Sequence, residues 1–316
     1  MGRLRHAVEV DVSAVVPLPG RHLVRGRLVA PAAPTDPFVW CCLPGGRCTS
    51  AYFDLAVGDD DTSYSMAAHL ADAGGVVLAL DHLGTGASTP VDDDFLLTPA
   101  MVAAANHLAF ATLLDRLRTG ALVPGLAAVD RCTPIGVGHS MGGMLTIVQQ
   151  AEHATYRAVA NLGSGGDGLP EHLRIPEGLG LDAVRASLVD LARVQFGGPP
   201  TGAPTAPFHA EDVPAAVRDA FRAQETSMLH ACALASIFPS CTDPEKAALT
   251  VPLFLGFGEH DLATDVHDTV RRYRSCSDIT LVVLAGAAHC HNQAGNRRQL
   301  WDRMLAWARS APLVAA

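Results

Sequence analysis

Lysine is all but missing: Lys246 is the single one in 316 residues. Schiff-base chemistry and a Walker-type phosphate loop each need a lysine at a set position, so both are left with almost no candidate. The eight cysteines form no C-x-x-C pair and none of the fourteen histidines falls in H-E-x-x-H, which removes the usual zinc signatures. His289 and His291 flank Cys290, but no third ligand is near in sequence, and no metal is expected. With a net charge of −9 there is no basic stripe to displace counterions from nucleic acid. No run of 18 apolar residues is free of charges and prolines, so no membrane span is expected. Arg3 and Arg5 have no apolar segment behind them to make a secretory signal. Scattered cysteines in a chain of this size read as reduced thiols, mostly buried, of a cytoplasmic protein.

Hydrophobic residues make up 49% of the chain and charged ones 17%, enough to fill the core of one large α/β domain and to argue against disorder. The pattern of elements says more. Residues 8–16 and 22–30 alternate like edge strands and give an antiparallel start. Phe38–Leu43, Gly75–Asp81, Thr133–Val137 and Tyr156–Gly163 are short, mostly apolar runs, as expected of strands buried on both faces. Helical spacing falls between them at 63–73, 99–117 and 143–150. Such alternation predicts a mostly parallel, doubly wound sheet of about eight strands, with chemistry at the C-terminal strand ends. It breaks at 167–248, where only helical patterns occur (181–196 and 213–238) around a Pro/Gly-rich hinge at 197–204. That segment reads as a helical cap inserted into a core made of 1–166 and 249–316. Strands at 251–257 and 279–285 then resume, with helices at 264–276 and near 300–308. Trp301 and Trp307 read as packing residues.

Gly138-His139-Ser140-Met141-Gly142 stands between a predicted strand and a predicted helix. A serine on such a turn is held in a strained conformation with its hydroxyl above the sheet. The five letters alone are a weak signal; their place between strand and helix carries the reading. A serine hydroxyl is a poor nucleophile unless a base takes its proton, and the base needs an acid partner to fix its tautomer. Asp261 and His289 follow the last two predicted strands and supply an acid and a base in the order Ser, Asp, His. Asp167 competes for the acid position and His291 for the base. His139 reads as a packing or hydrogen-bonding residue, and Cys48 and Cys290 as pocket lining.

That order, with Gly258-Glu-His-Asp261, Gly286-Ala-Ala-His289 and the Asp81-x-x-Gly-x-Gly-x-Ser88 turn, resembles the α/β-hydrolase fold family over about residues 8–310. The resemblance implies a serine hydrolase acting on a carboxylic ester or lactone, with no metal or organic cofactor. It implies one oxyanion donor at the Met141 N–H and a second in the turn after Leu43. Gly46 is the expected second donor, with Gly45 and Arg47 open. A nucleophilic serine argues against the dehalogenase and epoxide-hydrolase chemistries of that fold, which use a carboxylate there. Thioester cleavage, acyl transfer or C–C hydrolysis would use the same residues, and a receptor that kept the fold is the non-enzyme alternative. The cap's Phe208, Phe221, Met228 and Phe238 predict an apolar pocket over Ser140 for a medium-sized hydrophobic ester, lactone or thioester. Met228, Phe238 and Arg47 are candidate substrate contacts, Arg47 for a carboxylate. An oligomer remains open at this level.

Overall fold

The apolar runs become the middle of a single eight-stranded sheet in the order β1-β2-β4-β3-β5-β6-β7-β8. The computed structural model describes residues 2–58, 61–175, 178–198, 208–263 and 265–311. In chain order these hold β1 (Arg3–Asp11), β2 (Leu23–Pro31), β3 (Phe38–Leu43), α1 (Met66–Asp72), β4 (Val76–Leu80), α2 (Pro99–Arg118), β5 (Thr133–His139), α3 (Met141–His153) and β6 (Ala158–Leu162). There follow α4 (Leu181–Ala186), α5 (Leu188–Phe196), α6 (Ala215–Arg222), α7 (His230–Ile237), α8 (Asp243–Ala248), β7 (Leu253–His260), α9 (Val266–Arg272), β8 (Ile279–Ala288) and α10 (Arg297–Ser310). β1 and β2 pair antiparallel, β2 joins β4 antiparallel, and every pairing from β4 across to β8 is parallel. Among the described residues no helix is long and apolar enough to cross a membrane.

Strand periodicity sorts the core into two layers. Val39, Cys41 and Leu43 of β3 face one cluster with Phe110 and Leu113 of α2 and Leu145 and Ile147 of α3. Phe38, Trp40 and Cys42 face the other, with Met66 and Leu70 of α1 and Trp301, Met304 and Trp307 of α10. Burying one such large side chain stabilises by roughly 1.5–3 kcal/mol, so helices on both faces are what makes fully apolar strands soluble. The helices start where their caps allow. Ser65 accepts from the Ala68 N–H at 2.8 Å, and Thr98 caps α2 ahead of a proline in its first turn.

Four sequence expectations shift. The first strand runs from Arg3 to Asp11 rather than over 8–16, because Asp11 Oδ1 accepts from the Ser13 N–H (3.0 Å) and starts a 3₁₀ turn at Ser13–Val15. The pattern at 181–196 is two helices, broken at Ser187, whose backbone leaves the helical region (φ −114°, ψ 24°). The pattern at 213–238 is also two, α6 and α7. Between them the Thr226 N–H donates to Arg47 O (3.0 Å) and the Thr226 hydroxyl accepts from the Gly86 N–H (2.8 Å), so tertiary bonds replace helical ones. The helix expected over 264–276 is the shorter α9, capped by Asp265 accepting from the Asp268 N–H at 2.9 Å and ending at Arg272. Thr264, and residues 199–204 of the expected hinge, lie outside the described residues.

The lone lysine is a core residue. Lys246 is 2% exposed, donates to Gly165 O at 3.0 Å, and is lowered from its ordinary range by burial.

Candidate active site

β5 alternates two kinds of residue for two neighbours. Ile135 and Val137 face the α1/α10 layer, while Gly136 and Gly138 face α3. A Cβ on Gly138 would stand 2.3 Å from Gly142 O, and one on Gly142 would stand 2.1 Å from Leu43 O. The helix after the serine can therefore seat against the end of β3 only because these positions carry no side chain. At the turn between strand and helix, Ser140 takes φ 55° and ψ −122°, a conformation that is costly for a non-glycine residue and recurs at functional turns. Its N–H is tied to Leu162 O at 2.8 Å and its carbonyl accepts from the Met144 N–H at 3.1 Å.

The Ser140 hydroxyl meets His289 Nε2 at 2.9 Å, and His289 Nδ1 meets Asp261 Oδ1 at 2.6 Å. A carboxylate only accepts, so His289 donates from Nδ1 and presents the Nε2 lone pair to the hydroxyl, the tautomer a general base needs. Asp261 follows β7, whose pairing with β8 has a bulge between Gly258 and His260. Its side chain is completely buried. The Leu262 N–H donates to Oδ1 (2.7 Å) and the Gly258 N–H to Oδ2 (3.0 Å). Burial alone would raise this carboxyl; His291 first and then His289 overcome it and hold it well below the usual carboxylate range.

The two competing residues are placed differently. Asp167 is engaged by Arg272 (2.8 Å), which also binds Asp243 and Asp268, so it belongs to an ion cluster linking α8 and α9. His291 does not reach toward Ser140 as a base; its Nε2 lies 2.6 Å from Asp261 Oδ2. His139 is buried with its ring stacked on Tyr52 (4.3 Å between centroids), and its Nε2–H donates to His289 O at 2.8 Å. Burial, then the neighbouring His289 and His291, keep it well below the ordinary histidine range and hence neutral.

The turn after β3 lies over the serine. A Cβ on Gly45 would be 3.0 Å from Ser140 Cβ, and one on Gly46 would be 3.0 Å from Met228 Sδ. The N–H groups of Met141 and Gly46 have no acceptor among the described residues, and Met141 is the first residue of α3, where the helix dipole favours negative charge.

Ser140 opens into a mostly apolar cavity of about 660 Å³, within the range of small-molecule sites. Arg47, Met228, Phe208, Phe221, Cys48 and Cys290 line it. Phe238 does not: it closes α7 in extended backbone and packs against the core, and Ser236 and Ile237 line the cavity instead. Arg47 is paired with Glu225 at 2.9 Å. The sequence reading missed Arg218, Arg222 and Glu225 as lining; their spacing of four, then three, along and just past α6 was the available signal. No group of three His, Cys, Asp or Glu side chains arranged to hold a metal occurs among the described residues.

A strained serine at a strand-to-helix turn of a mostly parallel sheet, with Asp and His on later strand ends, defines an α/β-hydrolase. The family model described as the alpha/beta hydrolase family matches residues 42–300, and the chain belongs to that family. No curated protein sequence matches it. Among solved structures it is similar to proline iminopeptidase of Mycobacterium smegmatis, with 16% identity and a TM-score of 0.61 over 96% of this chain and 98% of that one. It is also similar to E-2-(acetamidomethylene)succinate hydrolase, at 18% identity and TM-score 0.59 over 97% and 100%. A thioesterase domain from the curacin biosynthetic pathway matches at 12% identity and TM-score 0.59 over 96% and 99%. At these identities the likeness is one of fold.

Proposed function

We propose that this chain is a serine hydrolase that cleaves a carboxylic ester or lactone of a medium-sized hydrophobic substrate through an acyl-enzyme on Ser140. The observation that carries the reading is the unbroken line Ser140–His289–Asp261, at 2.9 and 2.6 Å, opening into an apolar cavity. In the first step His289 Nε2 takes the hydroxyl proton as Ser140 Oγ attacks the carbonyl carbon. Asp261 stabilises the imidazolium, and the Met141 and Gly46 N–H groups hold the oxyanion. The intermediate collapses, breaking the bond to the leaving oxygen, which takes the proton from His289. Water, deprotonated by the same nitrogen, then attacks the acyl carbon and frees the acid and Ser140. The comparison structures named as an iminopeptidase, a thioesterase domain and a hydrolase fit hydrolytic cleavage in general. The apolar lining is what favours an ester or lactone of a hydrophobic group. In this reading residues 167–248 act as the cap over the cavity, Arg47 and Met228 touch substrate, and the protein works in the cytoplasm without a cofactor.

The test is labelling by a fluorophosphonate, followed by kcat/KM for acyl esters, lactones and acyl-thioesters. The wild type should be modified at Ser140 and lose both labelling and turnover in Ser140→Ala. Turnover that survives that change refutes the reading; tight ester binding without labelling or turnover favours a receptor.

A further inference from the structure

Asp261 has two imidazole partners, and the proposed chemistry uses one. Each carboxylate oxygen receives one backbone N–H and one imidazole: Leu262 and His289 on Oδ1, Gly258 and His291 on Oδ2. The His291 side chain is completely buried. We propose that His291 is a positioning residue: its Nε2–H, 2.6 Å from Asp261 Oδ2, fixes the rotation of the carboxylate so that Oδ1 stays aimed at His289 Nδ1. This rests on the serine-hydrolase reading above.

Three features separate this role from packing. Because the carboxylate can only accept, His291 donates from Nε2, and its other nitrogen, Nδ1, is buried with no partner among the described residues. A buried ring nitrogen left without a partner is a cost that an apolar side chain of similar size would not incur. The bond to Asp261 is the only polar contact the ring makes among the described residues. Second, the chain makes room for both rings at once: Gly163, with φ +63°, would place a Cβ 3.0 Å from His291 Cε1 and 3.2 Å from His289 Cε1. Third, one short turn delivers both rings. The His291 N–H donates to His289 O (3.0 Å) and starts the 3₁₀ turn His291–Gln293, and the Cys290 N–H between them donates to Phe208 O at 2.7 Å. Without His291, Oδ2 keeps one backbone donor, and the carboxylate plane is free to swing away from the imidazole it must orient. The other titratable rings facing His291 are those of His139, at 5.5 Å between centroids, and His289, at 6.2 Å.

The experiment compares His291→Gln, whose amide N–H reaches about as far as Nε2, with His291→Asn, whose amide stops short, and with His291→Leu, which has no donor. Fluorophosphonate labelling of the wild type at Ser140 comes first; its failure takes down the hydrolase reading and this inference together. Given labelling, His291→Leu and His291→Asn should lower kcat for a 4-nitrophenyl ester by about ten- to a hundredfold with KM little changed, and His291→Gln should recover most of it. The low-field proton resonance of the His289–Asp261 bond should move in Leu and Asn and return toward its wild-type position in Gln. A labelled wild type with wild-type kcat in folded His291→Leu overturns this inference alone. So does equal kcat in His291→Gln and His291→Asn, a comparison that stands even where the leucine variant does not fold.

Discussion

Replacing Gly163 by alanine separates backbone strain from the placement of the His289 and His291 rings. Gly163 sits just past β6 with φ +63°, and a Cβ there would lie 3.0 Å from His291 Cε1 and 3.2 Å from both Cε1 and Nδ1 of His289. Two effects follow. The left-handed backbone costs an alanine about 1–2 kcal/mol, whatever the surroundings. The contacts are closer than ordinary van der Waals separation, so both rings must give by a few tenths of an ångström. His289 cannot retreat freely, because its Nδ1 is held to Asp261 at 2.6 Å and its carbonyl oxygen to His139 at 2.8 Å. The displacement therefore falls on the 2.9 Å approach to Ser140. A misplacement of about 1 Å costs about a hundredfold in rate, so a fraction of that costs about tenfold in kcat.

Gly286 supplies the control. It has nearly the same backbone (φ +69°), it stands three residues before His289, and nothing lies within 4 Å of its Cβ position. Gly286→Ala should thus carry the backbone cost alone. For a chain of this length about 1–2 kcal/mol lowers Tm by about 2–3 °C, and both variants should show it by calorimetry. Only Gly163→Ala should lose turnover of a 4-nitrophenyl ester. If the two variants fall equally in Tm and neither loses kcat, the rings are not fixed by the backbone at Gly163, and the reasoning fails.

Two further predictions test the acid and the buried histidines. Asp261→Asn should lower kcat/KM by about 10³–10⁴, since an amide favours the wrong imidazole tautomer, whereas Asp167→Asn, in the Arg272 cluster, should stay within about threefold; the reverse ranking would move the acid to Asp167. His82 and His139 are lowered from the ordinary value of 6.5, in both cases chiefly by burial. Their unfolded forms take up protons below that pH while the folded forms do not, so stability is complete above about 6.5 and falls below it. The slope is at most about 1.4 kcal/mol per pH unit for each residue. Urea titrations at pH 7.5 and 5.5 should show the lower midpoint at 5.5, and identical midpoints would refute the assignment of both rings as neutral.

The sheet was legible because its central strands are buried on both faces, and such strands cannot hide: Phe38–Leu43 and Val76–Leu80 have no polar residue to interrupt the signal. The meeting of Ser140, Asp261 and His289 was legible for a related reason, since parallel strands of one sheet bring their C-terminal ends to the same edge. The break between α6 and α7 was not. Phe221 and Met228 stand seven apart, as on one helix face, across the polar run 224–227, and the bonds of Thr226 to Arg47 and Gly86, residues far away in sequence, hold that backbone out of the helix. Phe238 failed similarly, because periodicity says that a helix end is amphipathic and not which of two apolar neighbours it meets. The partnership of His291 with Asp261 depends on a 3₁₀ turn and on the space left by Gly163, and H-x-H spacing encodes neither.

The expected cap divides by how its parts are held. α7 contributes Ala231, Cys232, Ala233, Leu234 and Ala235 to the same core cluster as α2 and α3, so displacing it means opening the main core. α6 is attached differently. Val217 joins a small satellite cluster with Leu55 and Val213, and the segment after α6 reaches the turn after β3 through the Thr226 N–H bond to Arg47 O and the Arg47–Glu225 pair, and the turn at Gly86 through the Thr226 hydroxyl. Arg47 is 60% exposed in that pair, and an ion pair so exposed is worth about 0–1 kcal/mol. α6 is thus held by Val217 and Phe221 and the segment after it by Leu229, which is fully buried in the main core cluster, a smaller apolar contact than that of α7. The same segment touches Arg47 and packs Met228 against Gly46, next to the N–H proposed to hold the oxyanion. In the proposed reaction this one segment would both border the cavity, through Glu225 and Met228, and brace the Gly46 donor, so Met228→Ala should lower kcat/KM for a 4-nitrophenyl ester, and an unchanged value would refute that coupling.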